Sequence, residues 1–316
     1  MSTHTGSHVD EFLLASVLQK IRIWERIMNK ETWPTHLVTT EWLQDHLTDE
    51  RVRIIDPSTL LPPKPDFSLY DVVPAKNDFL KGHIPGAQFI DIEHELSTPH
   101  ERLHFMLPSE ETFKSCMEAN GISNETMVVT YATTNHWWAT RLWWTMRVFK
   151  HQHVAVLDGG FQKWVEEKRP VDSGDALPVR RSHYETSGLN RALIADKNSI
   201  IEHLKDPQCC LINALRREQH DGSGGVHYGR KGHIVKSTNL PALEHVNADN
   251  TFKSEKELRT IFADSLNQPQ VITYCGGGIA ATSVALVLDM LGHTNVRVYD
   301  ASLTEWAADE SLPMEY

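Results

Sequence analysis

The stretch that decides the fold is VITYCGGGIAATSVALVLDMLGH, residues 271–293. Residues 271–274 favour a buried strand, because β-branched and aromatic side chains are common in strands. Residues 281–291 are apolar almost all round, which is typical of a helix buried against a sheet. Between these two segments, three glycines let the backbone curl tightly around the sulfur of Cys275.

This arrangement predicts chemistry at Cys275. Backbone N–H groups of the loop and the positive end of the following helix converge on one sulfur, which stabilises a thiolate or an anion bound to it. A structural role is the alternative, since free cysteines usually act as small apolar side chains. The strand end favours chemistry, because ligands of parallel sheets bind beyond the carboxyl ends of the strands.

The composition is that of an ordinary globular protein. The chain has 316 residues, 40% of them hydrophobic and 23% charged, so two domains are expected. A net charge of −11 argues against a nucleic-acid partner. No apolar run approaches the roughly 20 residues that cross a bilayer, so no membrane partner is expected. The cysteines at 116, 209, 210 and 275 lack metal-ligand spacing and indicate reduced thiols without a metal.

The first 34 residues carry apolar side chains at helical spacing. They lack the uninterrupted apolar core and the cleavage site of a secretory signal, and their acidic residues disfavour a mitochondrial transit peptide. We interpret residues 1–34 as a helical extension that packs on the body of the protein or on a partner subunit. The predicted location is cytoplasmic, with the mitochondrion as the alternative.

The chain contains one pattern twice. Four pairs of segments match in the same order, namely RIIDPS (53–58) with CLINAL (210–215), KGHIPGA (81–87) with KGHIVKS (231–237), MVVTYA (127–132) with QVITYC (270–275), and VAVLDGGFQKW (154–164) with VRVYDASLTEW (296–306). The repeat predicts two α/β domains at 35–172 and 190–316, joined by a linker at 173–189. Each domain is expected to have a mainly parallel sheet flanked by helices.

Secondary structure in the second half can be predicted in more detail. Strand-forming residues occur at 209–215, 237–242, 271–274 and 296–300. Helical patterns occur near 199–205, 254–262, 281–291 and 302–308.

These motifs resemble the tandem-domain rhodanese family of thiosulfate and 3-mercaptopyruvate sulfurtransferases. The first half carries HIPGA (83–87), RLWWTMRVF (141–149) and LDGG (157–160), and the second half carries the strand, cysteine, loop and helix. As in that family, Ala132 of the first half stands where the second half has Cys275. The resemblance implies two tandem rhodanese-like domains, the first inactive and the second catalytic.

The resemblance also implies a sulfurtransferase of the EC 2.8.1 type that works without a cofactor. The catalytic Cys275 takes a sulfane sulfur from 3-mercaptopyruvate or thiosulfate as a persulfide, and a thiol, cyanide or a carrier protein removes it. The implied substrate-binding residues are those of the loop, nearby arginines and one histidine: Gly276, Gly277, Gly278, Ile279, Ala280, Arg216, Arg217, Arg230 and His83. In this architecture a histidine such as His83 more often ties its own loop together.

The loop departs from the family pattern at several positions. Gly277 replaces the family's Ser or Lys, Ala280 replaces a Thr, and Leu215 replaces the Arg of a strand-end Asp-x-Arg motif. Gly276 follows the mercaptopyruvate enzymes, so this donor or a protein-bound persulfide is favoured over thiosulfate. A catalytically weak binding or regulatory protein is the alternative. A phosphatase is a further one, but Ala281 stands where such a loop needs an arginine.

Other conspicuous residues receive structural interpretations. Arg141 is expected to form a buried ion pair. The tryptophans at 137, 138, 143 and 144 have helical spacing, which predicts packing in the core and between the domains. Asp158 and Asp300 end equivalent strands and are expected to cap the helices that follow.

Overall fold

The computed structural model of the protein describes residues 33–206 and 209–316. The helical extension expected at 1–34 therefore lies outside the described residues except for its last two. Among the described helices, none has the length and apolar character needed to cross a membrane.

The secondary structure alternates strands and helices along the chain. The strands are β1 (Leu37–Val38), β2 (Val52–Asp56), β3 (Thr59–Leu60), β4 (Val73–Pro74), β5 (Gln88–Phe89), β6 (Met127–Thr130), β7 (Val154–Leu157), β8 (Ile194–Ala195), β9 (Cys209–Asn213), β10 (His233–Ile234), β11 (Thr238–Asn239), β12 (Gln270–Tyr274), β13 (Val296–Tyr299) and β14 (Met314–Glu315).

The α-helices are α1 (Thr40–Asp45), α2 (Lys76–Lys81), α3 (Ile92–Glu95), α4 (Glu110–Ala119), α5 (Trp137–Val148), α6 (Gly160–Glu166), α7 (Lys197–His203), α8 (Arg217–His220), α9 (Glu255–Ile261), α10 (Ala263–Leu266), α11 (Ala281–Met290) and α12 (Ser302–Trp306). Short 3₁₀ turns occur at Arg191–Leu193 and Ala242–His245.

Two parallel sheets of five strands form the framework. The first has the order β1-β7-β6-β2-β5 and the second the order β8-β13-β12-β9-β11. Counterpart strands of the sequence repeat thus occupy the same place in each sheet. The strands β6 and β7 are buried throughout, as expected for parallel strands covered by helices on both faces. The predicted α/β class with two mainly parallel sheets is confirmed.

Most elements predicted for the second half are present. The strands β9, β11, β12 and β13 and the helices α7, α9, α11 and α12 overlap the predicted segments. The edge strand β8 and the short helices α8 and α10 were not predicted. Residues 173–189 contain no helix or strand, and the predicted domain boundaries stay predictions.

One helix from each half takes part in the contact between the two halves. Helix α5 of the first half lies against α11 of the second. The hydroxyls of Thr140 and Thr282 are 2.8 Å apart, and Nε2 of His136 lies 2.8 Å from the hydroxyl of Ser283. These polar groups are buried and matched in pairs, so they fix how the two helices face each other.

His245, at the end of the second 3₁₀ turn, yields a prediction about acid stability. Its ring is fully buried, and within 33–206 and 209–316 neither ring nitrogen has a hydrogen-bond partner. Burial lowers the pKa of His245 to about 3. The unfolded chain binds a proton near pH 6.5 and the native state does not, so native stability falls as the pH drops from about 6.5 towards 3.

We predict that His245→Leu makes the free energy of unfolding less dependent on pH. Below pH 6, the slope of this free energy against pH should decrease by up to about 1.4 kcal/mol per pH unit. Urea unfolding at a series of pH values between 7 and 4.5 measures this slope. The exposed His100, replaced by Gln, is the control and should leave the slope unchanged. An identical slope for His245→Leu and the original chain would contradict the prediction.

Candidate active site

Cys275 lies directly beyond the carboxyl end of β12, the central strand of the second sheet. Only 2% of its surface is exposed. Parallel neighbours on both sides of β12 bring their own carboxyl ends to the same edge. A buried thiol at the centre of that edge is where an open α/β sheet binds its ligands.

The loop after Cys275 is held from the side of helix α12. The N–H groups of Cys275 and Gly278 both donate to the hydroxyl of Ser302 at 3.1 Å, and that hydroxyl donates to the carbonyl of Tyr299 at 2.7 Å. The carbonyl of Gly276 accepts from the N–H and the hydroxyl of Thr304 at 2.9 and 2.8 Å. These bonds fix the path of the loop.

The other N–H groups of the loop lack an acceptor within 33–206 and 209–316. Those of Gly276, Gly277, Ile279 and Ala280 donate to no group among the described residues. Helix α11 begins next, and no side chain of the described residues caps its start. Unpaired N–H groups and a helix N-terminus together form a site for negative charge.

Gly278 is required by the shape of the loop. Its φ is +75°, in the left-handed region that favours glycine. A Cβ atom at this position would collide with the carbonyl oxygen of Asp300. The third glycine of the loop is thus fixed by close contact with the end of β13.

Arg141 of helix α5 anchors the loop from the first half of the chain. It is 1% exposed, and its Nη1 donates to Oδ1 of Asp300 at 2.6 Å and to the carbonyl of Gly278 at 3.2 Å. Its Nη2 donates to the carbonyl of Phe105. The guanidinium carbon also lies 4.8 Å from the ring centre of Trp144. The predicted buried ion pair of Arg141 is confirmed.

The capping role predicted for Asp158 and Asp300 is wrong. Asp300 binds Arg141 and accepts the N–H of Leu107 at 2.9 Å, and no side chain caps helix α12. Asp158 accepts the N–H of Phe252 at 2.8 Å, and helix α6 likewise has no side-chain cap. Partners distant in sequence outcompete the local helix ends for both carboxylates.

A cavity of about 150 Å³ lies over Cys275 and is bordered by both halves. Most of its lining is apolar. The lining comprises Leu61, Tyr70, Trp137, Ala214, Leu215, Arg216, Gln219, Tyr228, Pro241, Ala242, Leu243, Cys275, Gly276, Gly277, Ile279 and Ala280. The cavity therefore brings together the cysteine and four of the five predicted loop residues, whereas Gly278 supports the loop from behind.

The predicted arginines lie in three different environments. Arg216 lines the cavity, and its guanidinium has no hydrogen-bond or ion-pair partner in the described part of the chain. Arg217 forms a two-pronged ion pair with Glu244 at 2.7 and 2.5 Å. Arg230 donates to four backbone carbonyls near the C-terminus, at residues 306, 307, 309 and 312. Of the three, only Arg216 is brought to the cavity.

His83 lies away from the cavity lining. Its Nδ1 donates to the carbonyl of Phe79 at 2.9 Å, and the two rings stack with their centres 4.0 Å apart. Its backbone pairs with Asp172. The contacts are those of a residue that ties its own segment together.

Several lining residues could not be found from the sequence. Tyr70 and Tyr228 belong to irregular segments without a recognisable motif, and Trp137 was interpreted as a packing residue together with its neighbours. Trp138, Trp143 and Trp144 are indeed buried, but Trp137 lines the cavity. The small residues of the loop were the available signal for these lining residues. They leave space beside Cys275, and side chains from other segments must fill it.

Comparisons with known proteins agree with this geometry. The rhodanese-like domain family matches residues 39–167 and 201–309. The sulfur carrier protein TtuD of Thermus thermophilus is 33% identical over 297 residues, which are 89% of this chain and 96% of that protein. Thiosulfate sulfurtransferase of Rattus norvegicus is 34% identical over 287 residues, with coverage of 85% and 91%. The crystal structure of SseA from Escherichia coli, a 3-mercaptopyruvate sulfotransferase, has a TM-score of 0.74, 28% identity and coverage of 85% and 99%.

The anchor formed by Arg141 yields a prediction about stability. We expect Arg141→Leu to lower the free energy of unfolding by about 3–5 kcal/mol, because Asp300 then stays buried without its charge partner. Urea unfolding measures this loss. The exposed Arg217→Ala, which also removes an ion pair, is the control and should cost about 0–1 kcal/mol. Equal losses in the two variants would contradict the anchoring role of Arg141.

Proposed function

The chain belongs to the rhodanese family and is a sulfurtransferase of the EC 2.8.1 type; from this we propose that it carries a sulfane sulfur as a persulfide on Cys275. One observation carries the proposal. Cys275 opens onto a cavity beside a loop whose N–H groups at 276, 277, 279 and 280 have no acceptor among the described residues. Such a loop can hold the negative charge of a thiolate and then of a persulfide.

In the first half-reaction the thiolate of Cys275 attacks the sulfur atom that the donor gives up, the sulfane sulfur of thiosulfate or the thiol sulfur of 3-mercaptopyruvate. A bond forms between the two sulfurs, and the bond that joined the sulfur to the donor breaks. The donor fragment leaves with the electron pair of that bond. The terminal sulfur of the persulfide keeps the negative charge that it has in thiosulfate, or becomes negative when the thiol proton of 3-mercaptopyruvate moves to the carbon of the leaving enolate. The unpaired N–H groups are already in position, so little reorganisation accompanies this transfer of charge.

In the second half-reaction a thiophilic acceptor attacks the terminal sulfur. The sulfur–sulfur bond breaks, and Cys275 becomes a thiolate again. We assign this role to a thiol, cyanide or a carrier protein. The narrow cavity and the 2% exposure of Cys275 require a small acceptor or an extended one.

We assign the donor to the carboxylate class represented by 3-mercaptopyruvate. The loop has no cationic side chain for the compact thiosulfate dianion. Arg216 lines the cavity with no partner in the described part of the chain, so its planar fork is available for a carboxylate. Arg217 and Arg230 are already engaged with other groups.

The alternatives from the sequence find less support. A phosphatase loop needs an arginine for its phosphate, and the loop from Cys275 to Ala281 contains none. A purely regulatory role does not explain why the N–H groups of the loop are unpaired within the described part of the chain. The free thiols of Cys116, Cys210 and Cys275 support a reducing compartment, which we take to be the cytoplasm.

The first test is the mass of the protein after incubation with donor. The original chain should gain about 32 mass units, one sulfur atom, from 3-mercaptopyruvate or thiosulfate, and cyanide should remove them. Cys275→Ser should gain nothing. Cys116→Ser is the control and should still be loaded, because burial raises the pKa of Cys116 to about 12 and keeps it a thiol. Loading that survives in Cys275→Ser would overturn the proposal.

The second test concerns Arg216. Arg216→Ala should raise KM for 3-mercaptopyruvate about tenfold, the effect of losing a charge-assisted contact at the rim, and should change KM for thiosulfate less. Steady-state kinetics with each donor measure both values. The neighbouring Arg217→Ala serves as control and should leave KM unchanged. If the two arginine variants behave alike, Arg216 is not the anchor.

A further inference from the structure

Two tyrosines occupy the space above the glycine loop. A Cβ atom added to Gly276 would overlap the ring of Tyr228, and one added to Gly277 would lie 3.3 Å from the hydroxyl of Tyr70. Neither glycine has a positive φ, so their backbone conformations are open to other residues. Glycine is therefore needed at 276, and favoured at 277, to make room for the two phenols.

The tyrosines come from different halves of the chain. Tyr70 lies in the segment between β3 and β4, and Tyr228 lies in the glycine-rich segment before β10. Their ring centres are 6.2 Å apart at an angle of 70°. The N–H of His227 donates to the carbonyl of Phe67 at 3.1 Å and joins the two segments next to the rings. The pair thus lines the cavity from both halves of the chain.

The hydroxyl of Tyr70 lacks a partner. Tyr70 is 7% exposed and lines the cavity, yet in the described part of the chain its hydroxyl forms no hydrogen bond. Buried phenols normally have one, and because this hydroxyl faces the cavity it is available to a ligand. Tyr228 also lines the cavity, and the side chain of Gln219 reaches its hydroxyl.

Both phenols stay protonated. Burial, followed by the nearby Cys275, raises the pKa of Tyr70 above the usual phenol value. Burial also raises the pKa of Tyr228, with smaller contributions from Tyr70 and Cys275. Each hydroxyl therefore remains available as an O–H donor beside Cys275, and neither can act as a base at neutral pH.

We propose that Tyr70 and Tyr228 form a subsite that binds the oxygen atoms of the donor fragment as it leaves the sulfur. The inference rests on the proposed function and adds the chemical class of the donor, a small molecule whose leaving group carries oxyanion charge. The loop N–H groups hold the sulfur, and the two hydroxyls hold the oxygens.

The chemistry of both donors agrees with a site in which the loop N–H groups bind the sulfur and the two hydroxyls bind the oxygens. With thiosulfate, the sulfur–sulfur bond breaks and sulfite leaves with the electron pair. With 3-mercaptopyruvate, the carbon–sulfur bond breaks, and the electron pair forms an enolate whose carbon takes up the proton of the donor's thiol. In each case negative charge appears on oxygen, to which O–H groups form short hydrogen bonds. Fixed donors stabilise such charge most when it develops.

Single-turnover kinetics of Tyr70→Phe and Tyr228→Phe test the inference. The rate of persulfide formation is measured by rapid quench and mass spectrometry, with thiosulfate and 3-mercaptopyruvate in separate arms. The rate at which cyanide unloads pre-formed persulfide is measured on the same variants. Tyr184→Phe is the control, since this buried phenol contacts His151 at 3.2 Å and does not line the cavity.

Each cavity variant should form the persulfide about 10- to 100-fold more slowly, the effect of losing a hydrogen bond to a charged group. Unloading should be unchanged, because no oxyanion leaves in that step. Tyr184→Phe should match the original chain in both steps. The donor whose arm shows the larger loss is the one whose leaving group the subsite fits.

A second pair of variants tests whether Gly276 is needed to make room for the ring of Tyr228. Gly276→Ala should slow persulfide formation as much as Tyr228→Phe does, because the new methyl group displaces the ring. In a chain that already carries Tyr228→Ala, Gly276→Ala should add little. Additive losses in the double variant would overturn the claim that Gly276 serves Tyr228.

The remaining outcomes are separable. An original chain that gains no sulfur from either donor overturns the proposed function itself. An original chain that is loaded, with Phe variants loaded equally fast, overturns the subsite alone. Equal slowing of loading and unloading would assign the tyrosines a purely structural role and would also overturn it.

Discussion

The ion pair between Arg141 and Asp300 is the contact on which the site depends. Removing two charges from water is costly, and attraction offsets the cost only when the remaining donors and acceptors are also satisfied. Here the guanidinium binds Asp300 and the carbonyls of Gly278 and Phe105, and the second carboxylate oxygen accepts the N–H of Leu107. The first half of the chain thus supplies the cation that holds the loop of the second half. The first half has Ala132 in place of the cysteine, yet it takes a direct part in the geometry of the site.

The site handles charge mainly with neutral groups. N–H groups of the loop, the start of helix α11 and two phenols surround the thiol, and Arg216 at the rim is the cationic side chain that lines the cavity. In an apolar cavity, fixed dipoles are effective because no water competes with them, and they add no net charge that would trap an anion. The proposed donor would place its carboxylate at Arg216 and its sulfur at Cys275 in such a site. The glycines at 276 and 277 belong to this arrangement, since side chains there would compete with the phenols for the same space.

Much of the framework could be predicted from the sequence, and the reasons are local. Strands β9, β12 and β13 and helix α11 follow from short apolar runs, and the repeat indicated that the same sheet occurs twice. Cys275 was found because strand, glycines and helix are adjacent in the chain. The contacts of Asp300 and the tyrosines escaped prediction because they join distant segments. Arg141 and Asp300 are 159 residues apart, and nothing near Asp300 indicates that its carboxylate binds a guanidinium instead of capping a helix.

The repeat also explains why, among the described residues, the first N–H group beyond strand β12 is unpaired, whereas its counterpart beyond β6 is hydrogen-bonded. In the first half, the residue after Ala132 is Thr133, and its N–H donates to the hydroxyl of Ser58 at 2.9 Å. The counterpart of Thr133 is Gly276, and the counterpart of Ser58 is Leu215, whose side chain cannot accept a hydrogen bond. The N–H of Gly276 is consequently left for a ligand. Leu215 in place of a serine thus leaves this N–H without the acceptor that its counterpart has. The two halves differ in a hydrogen-bond acceptor as well as in a cysteine, so a thiol at position 132 alone would meet a strand end whose first N–H is already occupied.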